Sequence, residues 1–418
     1  MDSKPVAVAT SAWGWRRFFD EFVFFAWWVR LSARLEGLSV RTRWSLLAAA
    51  ALVGTAARLW AQTKPGNYDF RLWWLISEAA LGGQDPYSLH RYNYPPVWLG
   101  IVTGFQAVTT NEAAFRLLIS LLLCAVDIGI AVILLRKRYT LAALLFLVSP
   151  ITVAISGQHQ QVDGVAILIA LGAMVVAGWN RRDALARSDL LAATLLGLSL
   201  STKPVFLVLP LWFLFRPGTW AKRLVLAALP YLIFALALGV SMAMYSPSVV
   251  LRYVLGHQGA NNSPLLWNLL PDQVVPGLLN LGAGKIAFLV LLIPAGLLFR
   301  RLRPFELALV YSVSALLFSW AVANQYLAIP MAAVAVFLNL GFLVWLGLGT
   351  LYLGGDASVL DLPILRSIQP HVLLEYDIVF RDMWPWLFMG WLLLIFALRK
   401  PLLHWDPQDA PALDARRG

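Results

Sequence analysis

Residues 113–138 read AAFRLLISLLLCAVDIGIAVILLRKR. The apolar run up to Leu135 is long enough to cross a bilayer as a helix, since a hydrocarbon core about 30 Å thick needs about 20 helical residues. It stops at Arg136, Lys137 and Arg138, a cluster of charge that belongs in water. The same pattern recurs along the chain, as apolar blocks of roughly 15–25 residues closed by short polar or basic turns. Of the 418 residues 60% are hydrophobic and 13% charged, against about half and a quarter in a soluble domain. Every backbone N–H and C=O inside a spanning block must be satisfied within it, so the blocks are predicted to be helices. The period-two alternation of a β-barrel is absent.

The expected fold is all-α, a polytopic transmembrane bundle. The first predicted span covers 44–62, and others follow near 113–135, 139–155, 164–179, 190–202, 204–215, 221–243, 283–299 and 305–322. The stretch 326–353 holds one long span or two short ones, and a last span covers 383–398. Residues 13–35 mix aromatics with Arg16, Arg17, Asp20, Glu21, Arg30 and Arg34, which suits a helix lying in the membrane interface. The tail after Trp405 is rich in Pro and Asp and is expected to be disordered. The single cysteine, Cys124, permits no intramolecular disulfide, and no cleavable signal peptide is evident.

Charge orients the spans. The net charge of +11 is read as basic cytoplasmic turns rather than as a nucleic-acid surface. Placing the basic turns at 41–43, 136–138, 181–187, 216–223, 300–303 and 399–400 inside, with both termini, gathers 23 of the 33 basic residues on one face. This alternation holds only if 96–110 is a juxtamembrane helix and if 326–353 crosses twice, with Asn339-Leu340-Gly341 as the turn. About eleven or twelve spans result. The chain then divides into an N-terminal segment 1–43, a module 44–243 with its first outer loop at 63–112, a second module 244–400 and a tail 401–418. The expected location is the plasma membrane. The outer loops 63–112, 156–163, 244–282 and 354–382 carry the unusual residues, and polar residues that persist against an apolar bias mark function.

Five constellations lie on that face. In the first loop, Asp69 precedes Arg71 and opens a predicted helix over 69–81, which Gly82-Gly83 ends. A carboxylate there can take a proton from an acceptor hydroxyl at the bilayer surface or simply cap the helix. Asp85 reads as a turn residue and Glu78 as a solvated one. The second constellation is SGQHQQVD at 156–163, where Gln158, His159 and Asp163 suit recognition of sugar hydroxyls or form an ordinary solvated loop. His159 and Asp163 are four apart and share a face if the run is helical. A zinc pair would lack a third nearby ligand. Lys203 before Pro204 is the third, a lysine in apolar sequence that snorkels or meets a lipid phosphate. The fourth is the loop 244–272, with Arg252 and His257. The fifth is Asn324-Gln325-Tyr326.

In order, these features resemble the GT-C superfamily of membrane glycosyltransferases, which use polyprenyl-phosphate- or polyprenyl-pyrophosphate-linked sugars. The resemblance rests on Asp69 after the first span, Gly83-Gln84-Asp85-Pro86-Tyr87, Tyr94-Pro95-Pro96, Arg116, Ser149-Pro150, Gly157-Gln158 with Asp163, Lys203-Pro204, and Gln325-Tyr326-Leu327 before Pro330. It covers most of 44–335 and is closest to bacterial polyprenol-phosphate-mannose-dependent mannosyltransferases. It implies that Asp69 is the general base. Lys203, Arg71, Arg116 or Arg252 would contact the donor phosphate. Tyr94, Gln158, His159, Asp163, His257, Gln325 and Tyr326 would line the sugar and acceptor pocket. Asp69 stands alone where some members have a metal-binding acidic pair, which implies a metal-independent, inverting transfer with no cofactor. The implied partners are membrane lipids, the lipid-linked sugar and a lipid or glycan acceptor. A transporter or flippase of lipid-linked sugars is the main alternative. An acyltransferase or ligase using Arg366, His371, Glu375 and Asp377 is another.

Overall fold

The computed structural model describes residues 26–64, 68–90, 92–109, 111–177, 185–256, 283–319, 324–334, 336 and 340–372. The expected last span at 383–398, the tail, residues 1–25, His257, Glu375 and Asp377 lie outside the described residues.

Among the described residues every regular element is helical. In chain order they are α1 (Ala26–Glu36), α2 (Val40–Gln62), α3 (Tyr68–Leu81), α4 (Pro96–Val108), α5 (Glu112–Arg136), α6 (Thr140–Val148) and α7 (Pro150–Gln158), then α8 (Asp163–Val176), α9 (Arg187–Thr202), α10 (Trp220–Met244), α11 (Ala283–Phe299), α12 (Pro304–Leu317), α13 (Leu340–Gly355) and α14 (Pro363–Val372). Three of them, α2, α5 and α10, are long and apolar enough to cross a membrane. The number is five if the bent pairs α6–α7 and α9 with Pro204–Phe215 each count as one span. Their outward faces carry bare apolar side chains, with Leu52 74%, Leu236 62% and Val290 62% exposed on α2, α10 and α11. Lipid can cover such a surface at no hydrophobic cost, whereas water cannot.

The breaks follow from proline and backbone chemistry. Ser149 caps α7 through its side chain, and Pro150 starts it, bending the pair by 47°. Pro204 and Pro210 break the stretch expected to be a separate span at 204–215 into short turns, bent 114° from α9. Proline cannot donate the helical N–H and clashes with the preceding turn. The stretch 326–353 is not one helix either. A 3₁₀ turn at Asn324–Ala328 and a four-residue helix at Met331–Val334 precede α13. With 13 residues, α4 is about 20 Å long, too short to cross the hydrocarbon core.

One charged side chain ties the N-terminal helices together. Arg58 of α2 is 1% exposed. Its Nε donates to Asp127 of α5 at 2.8 Å, its Nη1 to the carbonyls of Gly54 and Leu147, and its Nη2 to the Thr152 hydroxyl of α7 at 3.0 Å. Burying a guanidinium costs several kcal/mol unless its hydrogens are satisfied and its charge is countered, and here both conditions are met. Glycine makes the approach possible. A Cβ at Gly54 would collide with the Leu147 carbonyl, and one at Gly157 would lie 2.8 Å from the Arg58 carbonyl oxygen.

Asp127→Leu removes the counter-ion and leaves Arg58 buried and uncompensated. It should destabilise the purified protein by about 3–5 kcal/mol, read as a lowered midpoint in a denaturant titration. Adding Arg58→Leu should cost less than the sum of the two single changes. Additive losses would show that the pair does not act as a unit.

Candidate functional site

The site begins where α7 runs out. Its last turn, Val153–Gln158, is π-helical, and Gln160 takes a left-handed backbone with φ of 53°. A side-chain-bearing residue adopts that conformation only when its surroundings enforce it. Here the Gln160 carbonyl accepts a hydrogen bond from the Trp73 indole of α3 at 3.0 Å, and its side-chain amide donates to the Arg116 carbonyl and the Ser120 hydroxyl of α5. Spaced four apart, His159 and Asp163 would share a face if the run were helical. The break at Gln160 separates them instead, so the two side chains have different partners.

His159 turns toward α3. Its Nδ1 lies 3.8 Å from Oδ2 of Asp69, which sits in the first turn of that helix and is about one-fifth exposed. Trp73 packs edge-on against Tyr94 and Trp98, and Tyr87 shares a 3.1 Å hydrogen bond with Ser241 of α10. The segment between α2 and α5 is therefore held on two sides, and Asp69 with it. Asp85 behaves as expected, accepting from the backbone N–H of Tyr87, and Glu78 is exposed.

Asp163 opens α8 and pairs with Lys203 at the end of α9, Oδ2 to Nζ being 2.7 Å. A carboxylate in a first helical turn is favoured by the helix dipole. Both partners are buried. The ammonium also lies 5.0 Å from the ring centre of Tyr94 and 5.4 Å from that of Tyr326. Burial pushes the Tyr94 hydroxyl well above the usual phenol range, and the charges of Asp69 and Asp163 push it further. Tyr94 therefore stays a neutral hydrogen-bond donor at physiological pH.

Tyr94, Asp163, Lys203 and Tyr326 border a cavity of about 320 Å³. Tyr94, Asp163, Lys203, Lys285 and Tyr326 line it together with a wall of Phe234, Val254, Phe288, Leu316 and Ile329. The lining comes from both halves of the chain. In the turn that leads into Asp163, buried atoms lack hydrogen-bond partners among the described residues, namely both nitrogens of His159, both amide atoms of Gln161 and Oδ1 of Asp163. Buried polar atoms are seldom left unmatched, so such a cluster beside a cavity calls for a polar ligand or water.

The other residues singled out from sequence stand elsewhere. Arg71 and Arg252 are exposed, and Arg252 lies over its neighbour Tyr253. Arg116 stacks on Phe70 and donates to the Lys64 carbonyl. None of the three lines the cavity. Gln158 donates to the Ser358 carbonyl at 3.0 Å, and Gln325 is half-buried beside Tyr326. In the late loop Arg366 pairs with Asp361, and His371 is exposed. Among the described residues no group of three or more His, Cys, Asp or Glu side chains is placed to hold a metal ion. Sequence reasoning missed Lys285 and Gln161. Lys285 heads an apolar block as Lys203 closes one, and that parallel was the available signal. The chain matches no family model, no curated protein and no solved structure.

Asp163→Asn and Lys203→Met should each lower the thermal midpoint, and a double-mutant cycle should give a coupling of about 1–3 kcal/mol. A coupling near zero would mean that Lys203 is held by something other than Asp163.

Proposed function

We propose that this protein is a membrane glycosyltransferase of the GT-C type. It moves a sugar, mannose or another hexose, from a polyprenyl-phosphate donor to a lipid or glycan acceptor. One observation carries the reading: a largely apolar cavity is lined by Lys203, Lys285, Tyr94 and Tyr326, and Tyr94 lies near Asp69, which faces His159. A prenyl chain suits the wall of Phe234, Phe288 and Leu316. The phosphate suits Lys285 and Lys203, whose ammonium keeps donors beyond the one given to Asp163. Sugar hydroxyls suit Gln161, His159 and the free oxygen of Asp163, while Tyr94 and Tyr326 present aromatic faces.

The reaction is an inverting displacement. Asp69 takes the proton of the acceptor hydroxyl as its oxygen bonds to the anomeric carbon. The bond from that carbon to the phosphate oxygen breaks on the opposite side, and its electron pair leaves with the phosphate. Lys285 and Lys203 stabilise the negative charge that develops there. The leaving phosphate is already a weak base, so it needs no proton from a second carboxylate. Arg71, Arg116 and Arg252 take no part.

Wild-type protein in nanodiscs, given polyprenyl-phosphate mannose and a membrane lipid extract, should form a mannosylated product. Asp69→Asn should slow that transfer by about 10²- to 10⁴-fold, the usual contribution of a positioned base. Transfer at the wild-type rate would overturn the assignment of Asp69. A wild type that carries the intact lipid-linked sugar across liposomes without transferring it would overturn the enzyme reading in favour of a flippase.

A further inference from the structure

At the opposite end of α2 and α5 a second cavity opens, of about 180 Å³, lined by Val40, Arg43, Trp44, Leu135, Arg136 and Arg138. Three arginines line it and no carboxylate does. The nearby Glu36 is already engaged. One of its oxygens pairs with Nη1 of Arg43 at 2.8 Å, and the other accepts from the Thr140 backbone at 2.6 Å. Arg136 and Arg138 have no acidic partner among the described residues. The Nε atoms of Arg43 and Arg138 are buried and unpaired there.

Two ordinary explanations account for part of this. Basic residues favour the cytoplasmic ends of spans, and Arg136 ends α5, where the helix dipole welcomes a cation. Neither explains why the Nε atoms of Arg43 and Arg138 are buried without a partner among the described residues beside an exposed Arg136. The dipole works against the arrangement at α2, whose first turn carries Arg43 and no acidic residue. The left-handed backbone of Arg138, φ 63°, belongs to the turn that ends α5, where the N–H groups of Arg138 and Tyr139 bond the Leu135 and Leu134 carbonyls. Like charges gathered in this way are stable when an anion lies between them, and the guanidinium fork matches phosphate oxygens in pairs. The mouth is amphipathic, with Val40 62% and Trp44 39% exposed, and tryptophan favours the headgroup level of a bilayer.

We infer that this cavity binds a phosphate group, namely that of an anionic phospholipid headgroup at the face opposite the sugar-transfer site. The inference does not depend on the proposed glycosyltransferase activity. Native mass spectrometry of the full chain in detergent tests it, with phosphatidylglycerol and phosphatidylcholine in competition and inorganic phosphate in a separate titration. Wild type should retain phosphatidylglycerol about tenfold to thirtyfold more strongly, since each surface arginine contributes about a fivefold preference for anionic lipid. Arg136→Gln with Arg138→Gln should abolish the preference, and Arg136→Lys with Arg138→Lys should restore part of it. Neither side chain has a hydrogen-bond partner among the described residues, so the fold should persist, and an unchanged thermal midpoint checks this. Binding of inorganic phosphate that depends on the same arginines, without lipid discrimination, would support the phosphate site and assign it to a soluble ligand. Equal lipid retention by wild type and the glutamine variant would overturn the inference.

Discussion

A buried guanidinium sets the position of everything that follows it. Arg58 sits where α2, α5, α6 and α7 meet, and each of its bonds goes to a different stretch of backbone or side chain. In water those bonds would be exchanged for hydration at little net gain. In a dry interior the alternative is an uncompensated charge, which costs several kcal/mol. The helices are therefore held where the four acceptors can be reached. That geometry presses Gly157 against α2, so the chain beyond it leaves α7 at one fixed point. Gln158 to Asp163 then emerge beneath α3, where Trp73 holds the Gln160 carbonyl. The Asp69–His159 approach follows from this chain of contacts.

The cavity adds a second constraint. An apolar pocket lined by two lysines favours an anionic amphiphile. A long hydrocarbon satisfies the aromatic and aliphatic wall, and an anionic head satisfies the lysines. Asp163 has two roles in this arrangement. It neutralises part of Lys203, which lets a lysine be buried at all, and its other oxygen is buried without a hydrogen-bond partner among the described residues. The consequence for the proposed chemistry is that Lys285 bears much of the phosphate charge.

The periodicity and charge of the sequence made the scaffold legible, because lipid imposes simple demands. Long apolar runs with Arg or Lys clustered at one end read directly as α2, α5 and α10, and Gly82-Gly83 read directly as the end of α3. Asp69, Lys203 and Asp163 stood out because polar residues are costly in such surroundings. The pairing between Asp163 and Lys203 was not legible, because the partners come from different helices and nothing local links them. The same holds for Arg58 and Asp127, each a lone charge inside an apolar run. The separation of His159 from Asp163 was hidden for another reason, since it depends on the left-handed Gln160, which is enforced by contacts from α3 and α5. The prolines at 204 and 210 announced a break, but periodicity alone read the following stretch as a span.

The central claim is that the large cavity holds a prenyl phosphate with its head toward Asp69. An electron cryo-microscopy map of the full chain in nanodiscs with added polyprenyl phosphate tests this directly. The account predicts density for the phosphate between Lys203 and Lys285, with the prenyl chain running along Phe234 and Phe288. A map in which the added lipid lies elsewhere and this cavity holds none of it would contradict the account.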